Sequence, residues 1–200
     1  YKAWNWCLSI VEVILEIEIN SGEKHMRIVH LFIVAAINAF VIMAASATAG
    51  PGLSLSESVK AGLIAAQPVL GKKVGQETFD GKPVLVTFFA SWWTTCRAEF
   101  VQLRKFLNEG GTKQVNIVAV SWSEGRYGDD SPSRLRSMVR TFHPAIRVIR
   151  ANPKVEKDFS PLVYVPASFI FDRQGKVVYG DGNREYLGTA RLSKILDSIK

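Results

Sequence analysis

The sequence predicts an α/β domain in which helices cover both faces of a central β-sheet. Two continuous apolar runs, at 83–90 and 115–121, are rich in β-branched and aromatic residues, as is typical of buried central strands. Apolar residues at helical spacing follow both runs. A hairpin pattern at 167–179, with Gly175 at its turn, adds two more strands. Together these features predict a single domain built on a mixed sheet sandwiched by helices.

The main helices have recognisable boundaries. After the first strand, Phe100, Leu103 and Leu107 form an apolar stripe, and a glycine pair at 110–111 ends that helix. Ser131 is a suitable N-cap for the next helix, which Pro132 can begin. The remaining predictions are a short strand at 148–149, a helical turn at 155–159, an amphipathic helix ending the chain at 192–199 and a helical lead-in at 50–73.

Composition excludes several classes of protein. The chain has 200 residues, of which 48% are apolar and 22% charged, so a disordered or coiled-coil protein is excluded. Two cysteines and three scattered histidines exclude a disulfide-stabilised scaffold and a thiolate or histidine metal cage. The sequence contains no glycine-rich phosphate loop and no catalytic triad. We therefore expect no cofactor, no bound metal and no nucleic-acid partner.

The segment 26–49 has the pattern of a secretory signal peptide. A short basic start leads into an apolar run at 31–45, and Ala47-Thr-Ala49 matches a small-residue cleavage site. The run is short for a membrane span, which needs about 20 residues. We expect a periplasmic or otherwise exported protein that is cleaved after Ala49. If the segment is not cleaved, it would anchor the protein and supply its membrane contact.

Residues 1–25 lie before Met26, the position at which such a signal peptide would begin. The chain opens with Tyr1, and the codons of Gly22-Glu23 can resemble a bacterial ribosome-binding site. We interpret residues 1–25 as an upstream extension that is not translated. Cleavage after Ala49 would also remove Cys7, leaving one cysteine in the mature chain. A single unpaired cysteine in an oxidising compartment is either a buried, unreactive residue or a functional thiol.

Two motifs lie far apart in the chain. Residues 81–99 read Gly-Lys-Pro-Val-Leu-Val-Thr-Phe-Phe-Ala-Ser-Trp-Trp-Thr-Thr-Cys-Arg-Ala-Glu, and residues 165–175 read Val-Pro-Ala-Ser-Phe-Ile-Phe-Asp-Arg-Gln-Gly. They resemble the active-site segment and the cis-proline segment of exported thioredoxin-like proteins of the TlpA and ResA type. The resemblance covers roughly residues 70–198. It implies a thioredoxin-like domain at 71–200 after a lead-in at 50–70, and it implies thiol–disulfide oxidoreductase ancestry.

The sequence departs from this family at the catalytic position. Trp93 stands where the family has its attacking cysteine, and Cys96 matches the second, usually more buried, cysteine. In such a pair the first thiolate attacks a substrate disulfide and the second thiol resolves the mixed disulfide. Thr87 also occupies the position at which thioredoxins proper keep a buried carboxylate. The chain therefore cannot complete a dithiol cycle by itself, and whether it is an enzyme stays open.

Three functions are compatible with these residues. In the first, Cys96 carries thiol-linked redox chemistry with the help of an external thiol. In the second, the protein is a non-catalytic module in which Trp92, Trp93, Val165 and Pro166 hold a peptide or protein, and Cys96 is a core residue. The third is a one-cysteine peroxidase, since peroxiredoxins share the fold. The expected partner is a protein or peptide substrate, or another thiol-redox protein.

Overall fold

One mixed β-sheet organises the computed structural model, which describes residues 52–126, 130–181 and 186–200. In chain order the elements are α1 (Glu57–Ala65), β1 (Pro68–Leu70), a 3-10 helix (Gln76–Phe79), β2 (Val84–Phe89), α2 (Thr94–Asn108), a second 3-10 helix (Gly111–Lys113), β3 (Asn116–Ser121), α3 (Pro132–Val139), β4 (Arg147–Arg150), α4 (Pro153–Asp158), β5 (Ala167–Phe171), β6 (Val177–Asp181) and α5 (Thr189–Asp197). The strand order across the sheet is β1-β4-β3-β2-β5-β6.

Strand β2 is central because both of its faces are covered. Every residue of Val84–Phe89 is buried. The strand pairs in parallel with β3 and antiparallel with β5, and Thr87 lies opposite Ala119 on one side and Ser168 on the other. A strand buried on both faces needs a continuous apolar sequence, and this one has it. The chain leaving β2 therefore emerges at the edge of the sheet where α/β folds place functional loops.

An aromatic cluster holds the start of α2 against the end of β2. The rings of Phe100 and Phe142 are stacked, with centroids 3.6 Å apart and an interplanar angle of 11°. Phe89 meets both of them edge-on, at 5.0 Å and 5.4 Å. Phe100 and Phe89 are almost completely buried. The loop between β2 and α2 is thus fixed at both ends by the core.

Most of the predicted elements are confirmed. The two buried strands, the hairpin and the helices after each strand occur at the predicted places. Ser131 caps α3 by accepting a hydrogen bond from the Arg134 N–H, and Pro132 is the first helical residue. Gly175 has a φ of 78° at the hairpin turn, which glycine adopts without strain. The thioredoxin-like α/β fold class is correct.

One strand was not predicted. The helical lead-in is present as α1, but Pro68–Leu70 then forms an edge strand antiparallel to β4. The contact extends to Gln67, whose carbonyl accepts a hydrogen bond from Arg150 N–H at 2.8 Å. Three residues are too few to show an apolar alternation, and a proline is acceptable on an edge strand. These residues form a strand because their backbone pairs with that of β4.

The interpretations of residues 1–25 and 26–49 lie outside the described residues. Within 52–126, 130–181 and 186–200, no helix is both long enough and apolar enough to span a membrane.

Candidate functional site

The loop between β2 and α2 turns sharply and presents two tryptophans. The Trp93 N–H donates to the Ala90 carbonyl oxygen at 3.2 Å, which closes the turn. Trp93 is the N-cap residue of α2, with extended backbone (φ −103°, ψ 119°), and its indole makes no capping hydrogen bond. Cys96 follows in the first helical turn. The predicted departure from a two-cysteine motif therefore lies at the N-terminus of a helix.

The Cys96 thiol is inaccessible and protonated at neutral pH. The residue has 0% of its surface exposed. Burial raises the pKa of Cys96 from 9.0 to about 12, and the carboxylates of Glu99 and Glu124 act in the same direction. A hydrogen bond with the main chain of Ala90 opposes this rise without offsetting it. Because the thiolate is the nucleophilic form, this cysteine lacks the exposed, low-pKa character of reactive thiols.

A buried carboxyl group lies one helical turn after Cys96. Glu99 Oε1 accepts hydrogen bonds from Thr87 Oγ1 at 2.6 Å and from Ser168 Oγ at 3.2 Å. Its second oxygen accepts from the Leu187 N–H at 3.2 Å. Burial raises the pKa of Glu99. Thr87 thus donates to a carboxyl group that α2 supplies, instead of carrying one itself.

A second buried carboxylate connects the tryptophan loop to the end of β3. Glu124 accepts hydrogen bonds from the Ser91 N–H at 2.9 Å, Ser91 Oγ at 2.5 Å and Ser121 Oγ at 2.8 Å. Arg134 Nε donates to Ser91 Oγ at 3.0 Å, which adds α3 to the network. Neither buried carboxyl group is assigned a role by the sequence patterns described above. The Cys-Arg-Ala-Glu spacing could have indicated Glu99, whereas no local pattern distinguishes Glu124.

The tryptophans form one wall of a groove of about 260 Å³. Its lining residues are Trp92, Trp93, Trp122, Arg126, Val163, Tyr164 and Val165, and we call it the tryptophan groove. The rings of Trp92 and Trp93 are 5.8 Å apart at 69°, an edge-to-face arrangement. The Trp92 Nε1–H donates to the Ser123 carbonyl oxygen at 3.0 Å, so this half-buried ring is anchored.

Several apolar groups of the groove remain in contact with solvent. Trp93 is 39% exposed, Tyr164 40% and Val163 54%. Large apolar side chains that are clustered at a concave surface and left exposed are typical of binding sites. The groove lies beyond the C-terminal ends of β2 and β3, the edge expected for ligand contact in an α/β sheet.

The structure brings most of the residues singled out from the sequence to this one place. Trp92, Trp93 and Val165 line the groove. Pro166 is buried next to Val165, and the peptide bond between them is cis. Cys96 belongs to the core and is not one of the lining residues. Arg126, Val163 and Tyr164 also line the groove, although no sequence pattern assigned them to the site. Their separation from the tryptophans along the chain gave no signal.

Comparison with known proteins places the chain in a family. The sequence profile of redoxins matches residues 57–191, well over half of the chain. The chain belongs to the redoxin family. The redoxin domain is 32% identical over 124 residues to the thiol:disulfide interchange protein DsbE of Haemophilus influenzae, covering 60% of this chain and 62% of DsbE. It is 25% identical over 121 residues to the thiol-disulfide oxidoreductase ResA of Bacillus thuringiensis, covering 58% and 66%. The chain thus spans slightly less than two thirds of these two relatives.

Solved structures share the fold of this redoxin domain. A secreted Mycobacterium tuberculosis disulfide oxidoreductase homologous to DsbE superposes with a TM-score of 0.56 at 15% identity, covering 72% of this chain and 99% of that protein. A thioredoxin-like protein from Aeropyrum pernix gives a TM-score of 0.55 at 15% identity, covering 82% and 98%. At these identities the likeness shows the thioredoxin-like fold alone.

Proposed function

We propose that this redoxin-family protein binds a polypeptide segment of a partner protein in the tryptophan groove and does not exchange disulfides by itself. The observation that carries the proposal is the contrast between two neighbouring groups. Trp93, at the position of the family's attacking cysteine, is 39% exposed, whereas Cys96 is completely buried. The exposed group at the start of α2 therefore offers apolar contact and an indole N–H, not a nucleophile.

The chemistry of the groove suits a polypeptide ligand. Indole and phenol rings present large, rigid apolar faces together with hydrogen-bond donors, a combination that favours protein recognition. Val163 and Val165 add aliphatic surface to the lining of the groove. Side chains of an extended segment that enter such a groove remove apolar surface from water on both partners.

The thiol-linked alternative meets a physical obstacle in the position of Cys96. Its Sγ atom would have to reach solvent and lose its proton, yet the side chain is buried and its pKa is about 12. Reduction of a peroxide needs the thiolate as well. Both alternatives therefore require a conformational change that exposes the first turn of α2, whereas binding in the groove requires none.

We also propose that the protein is exported and that its partner is an exported polypeptide or another thiol-redox protein. The signal-peptide pattern at 26–49 supports export. The similarity to the thiol:disulfide interchange protein DsbE of H. influenzae supports a partner of this kind. N-terminal sequencing of the protein isolated from its native cells should begin at Gly50. A sequence beginning at Met26 or at Tyr1 would contradict the proposal of export by cleavage.

Selection of random heptapeptides displayed on phage tests the binding function. We expect the purified protein to enrich peptides with aromatic and branched aliphatic residues. Trp93→Ala should weaken binding of a synthetic enriched peptide at least about tenfold, as for an aromatic anchor. Val101→Ala is the matched control, since Val101 is 61% exposed on α2 and does not line the groove. This control should bind like the wild type.

Cys96→Ala separates the proposed function from the thiol-linked alternative. The folded variant should bind the peptide with unchanged affinity, because the thiol does not reach the groove. Loss of binding in this variant, with an unchanged circular dichroism spectrum, would support the thiol-linked alternative. Equal binding by wild type and Trp93→Ala would overturn the groove proposal.

A further inference from the structure

The tryptophan groove has a pronounced charge asymmetry. Six of its seven lining residues are aromatic or aliphatic, and the one charged residue among them is Arg126. No carboxylate lines the groove within the described part of the chain. Arg126 is exposed to solvent at the groove. A ligand that fills the groove would therefore meet one guanidinium group surrounded by apolar surface.

Hydrogen bonds hold the turn that leads to Arg126. The Arg126 N–H donates to the Ser123 carbonyl oxygen at 3.2 Å, closing a turn in which Ser123 has a φ of 61°. The same carbonyl accepts from the Trp92 indole. Glu124, within this turn, is bound to Ser91 on the tryptophan loop. The turn and the tryptophan wall are thus parts of one hydrogen-bonded unit, so binding costs little loop ordering.

Two described carboxylates close to Arg126 in the sequence are engaged elsewhere. Glu124 is 6% exposed and its oxygens accept from Ser91 and Ser121. Asp130 pairs with Arg150, with an oxygen–nitrogen distance of 3.3 Å. Across the described residues, Arg126 takes part in no ion pair. Among these residues its guanidinium N–H groups meet no carboxylate, so a carboxylate of a ligand can bind them.

We infer that Arg126 determines specificity in the tryptophan groove by binding a side-chain carboxylate of the partner polypeptide. This inference rests on the proposed function and adds the class of ligand: a segment in which an aspartate or glutamate adjoins aromatic or branched aliphatic residues. A guanidinium group binds a carboxylate through two parallel N–H···O hydrogen bonds, which an amide side chain cannot reproduce. A ligand that fills the groove would cover Arg126 together with the apolar rings that line it, and the lower access of water would strengthen that contact.

A pair of synthetic peptides tests the inference. The acidic residue of an enriched heptapeptide is replaced by its amide counterpart, glutamate by glutamine or aspartate by asparagine, and both peptides are blocked at their ends. Binding to the purified full chain is followed by tryptophan fluorescence. We expect the acidic peptide to bind at least about tenfold more tightly at low salt, and the difference to shrink as salt is added.

Two variants show whether Arg126 is responsible. Arg126→Gln should remove the preference for the acidic peptide, so that the acidic and amide peptides bind this variant with equal affinity. Lys157→Gln is the control, since Lys157 is an exposed cation of α4 outside the groove and its loss lowers the net charge equally. This control should keep the full preference, which excludes an effect of overall charge.

The outcomes separate the inference from the function on which it rests. Equal affinity of wild type for both peptides, with Trp93→Ala still weakening them, overturns the role of Arg126 and leaves groove binding standing. A preference that survives Arg126→Gln also overturns it. If no peptide is enriched and none binds, the proposed function fails and the inference fails with it.

Discussion

The strongest quantitative prediction concerns the reactivity of Cys96. A Cys7→Ser variant leaves Cys96 as the one thiol of the chain. With a pKa of about 12 in place of 9.0, roughly one folded molecule in ten thousand carries a thiolate at pH 8, against roughly one in ten for the unfolded chain. The thiolate population therefore falls about 1000-fold on folding. Complete burial of the side chain slows its reaction further.

Labelling kinetics with a chromogenic disulfide reagent measure this directly. The folded variant and the same protein in denaturant are labelled at several pH values between 7 and 10, with identical reagent in each. We expect folded Cys96 to react at least about 1000-fold more slowly than the denatured protein at pH 8. The labelling rate of folded Cys96 should still rise about tenfold per pH unit at pH 10, because this pH is well below the pKa of the thiol.

Two results would refute this reasoning. One is labelling of the folded protein within about tenfold of the denatured rate. The other is a rate that levels off below pH 8, which would mean a stabilised thiolate at the start of α2. Either result would favour the thiol-linked function over binding in the tryptophan groove alone. The rate of reaction with hydrogen peroxide would then separate disulfide exchange from peroxidase activity.

Three further predictions test the loop, the network and the buried carboxyl group. With oxidised glutathione as the oxidant, Trp93→Cys should form an internal disulfide with Cys96, because a helix N-cap and the third helical residue lie within bridging distance. Mass spectrometry would show a loss of two hydrogens from the variant, which Trp93→Ser must not show. Glu124→Ala should lower the free energy of unfolding by about 3 kcal/mol, measured in urea, because the buried N–H and O–H donors of Ser91 lose their acceptor. A loss below about 1 kcal/mol would contradict a stabilising role for this hydrogen-bond network. Burial raises the pKa of Glu99, so the folded state keeps this proton longer than the unfolded chain. The resulting stability is fully present below pH 4.5 and is lost as pH rises through the folded-state pKa; Glu99→Gln should remove that decline, and parallel curves for variant and wild type would disprove it.

The sequence was informative wherever local patterning reflects burial. The continuous apolar runs of β2 and β3 predict central strands, since a strand covered on both faces has no polar side to show. The hairpin and the Ser131 cap are also local, because their residues interact with neighbours a few positions away. The edge strand Pro68–Leu70 lacks such a pattern. It depends on β4, which lies about eighty residues further along the chain.

Some residues of the candidate site can be identified from the sequence, whereas the roles of others depend on the tertiary structure. The motif around Trp92 and Trp93 and the Val165-Pro166 segment are recognisable in sequence, and both lie at the groove. The neighbours of Arg126 and the partners of Glu99 and Glu124 come from separate strands and loops. Their roles follow from distances that no local spacing encodes.

Cys96 shows most clearly which properties follow from the sequence and which depend on the tertiary structure. Its position in a Trp-Thr-Thr-Cys motif excludes an internal dithiol cycle from the sequence alone. Whether the remaining thiol reacts or packs depends on solvent access and on the charges around it. Those are set by the folding of α2 onto the sheet, which buries the sulfur and leaves Trp93 exposed above it. Motif spacing specifies which groups are present, whereas the dielectric surroundings that control their chemistry arise only when distant segments pack together.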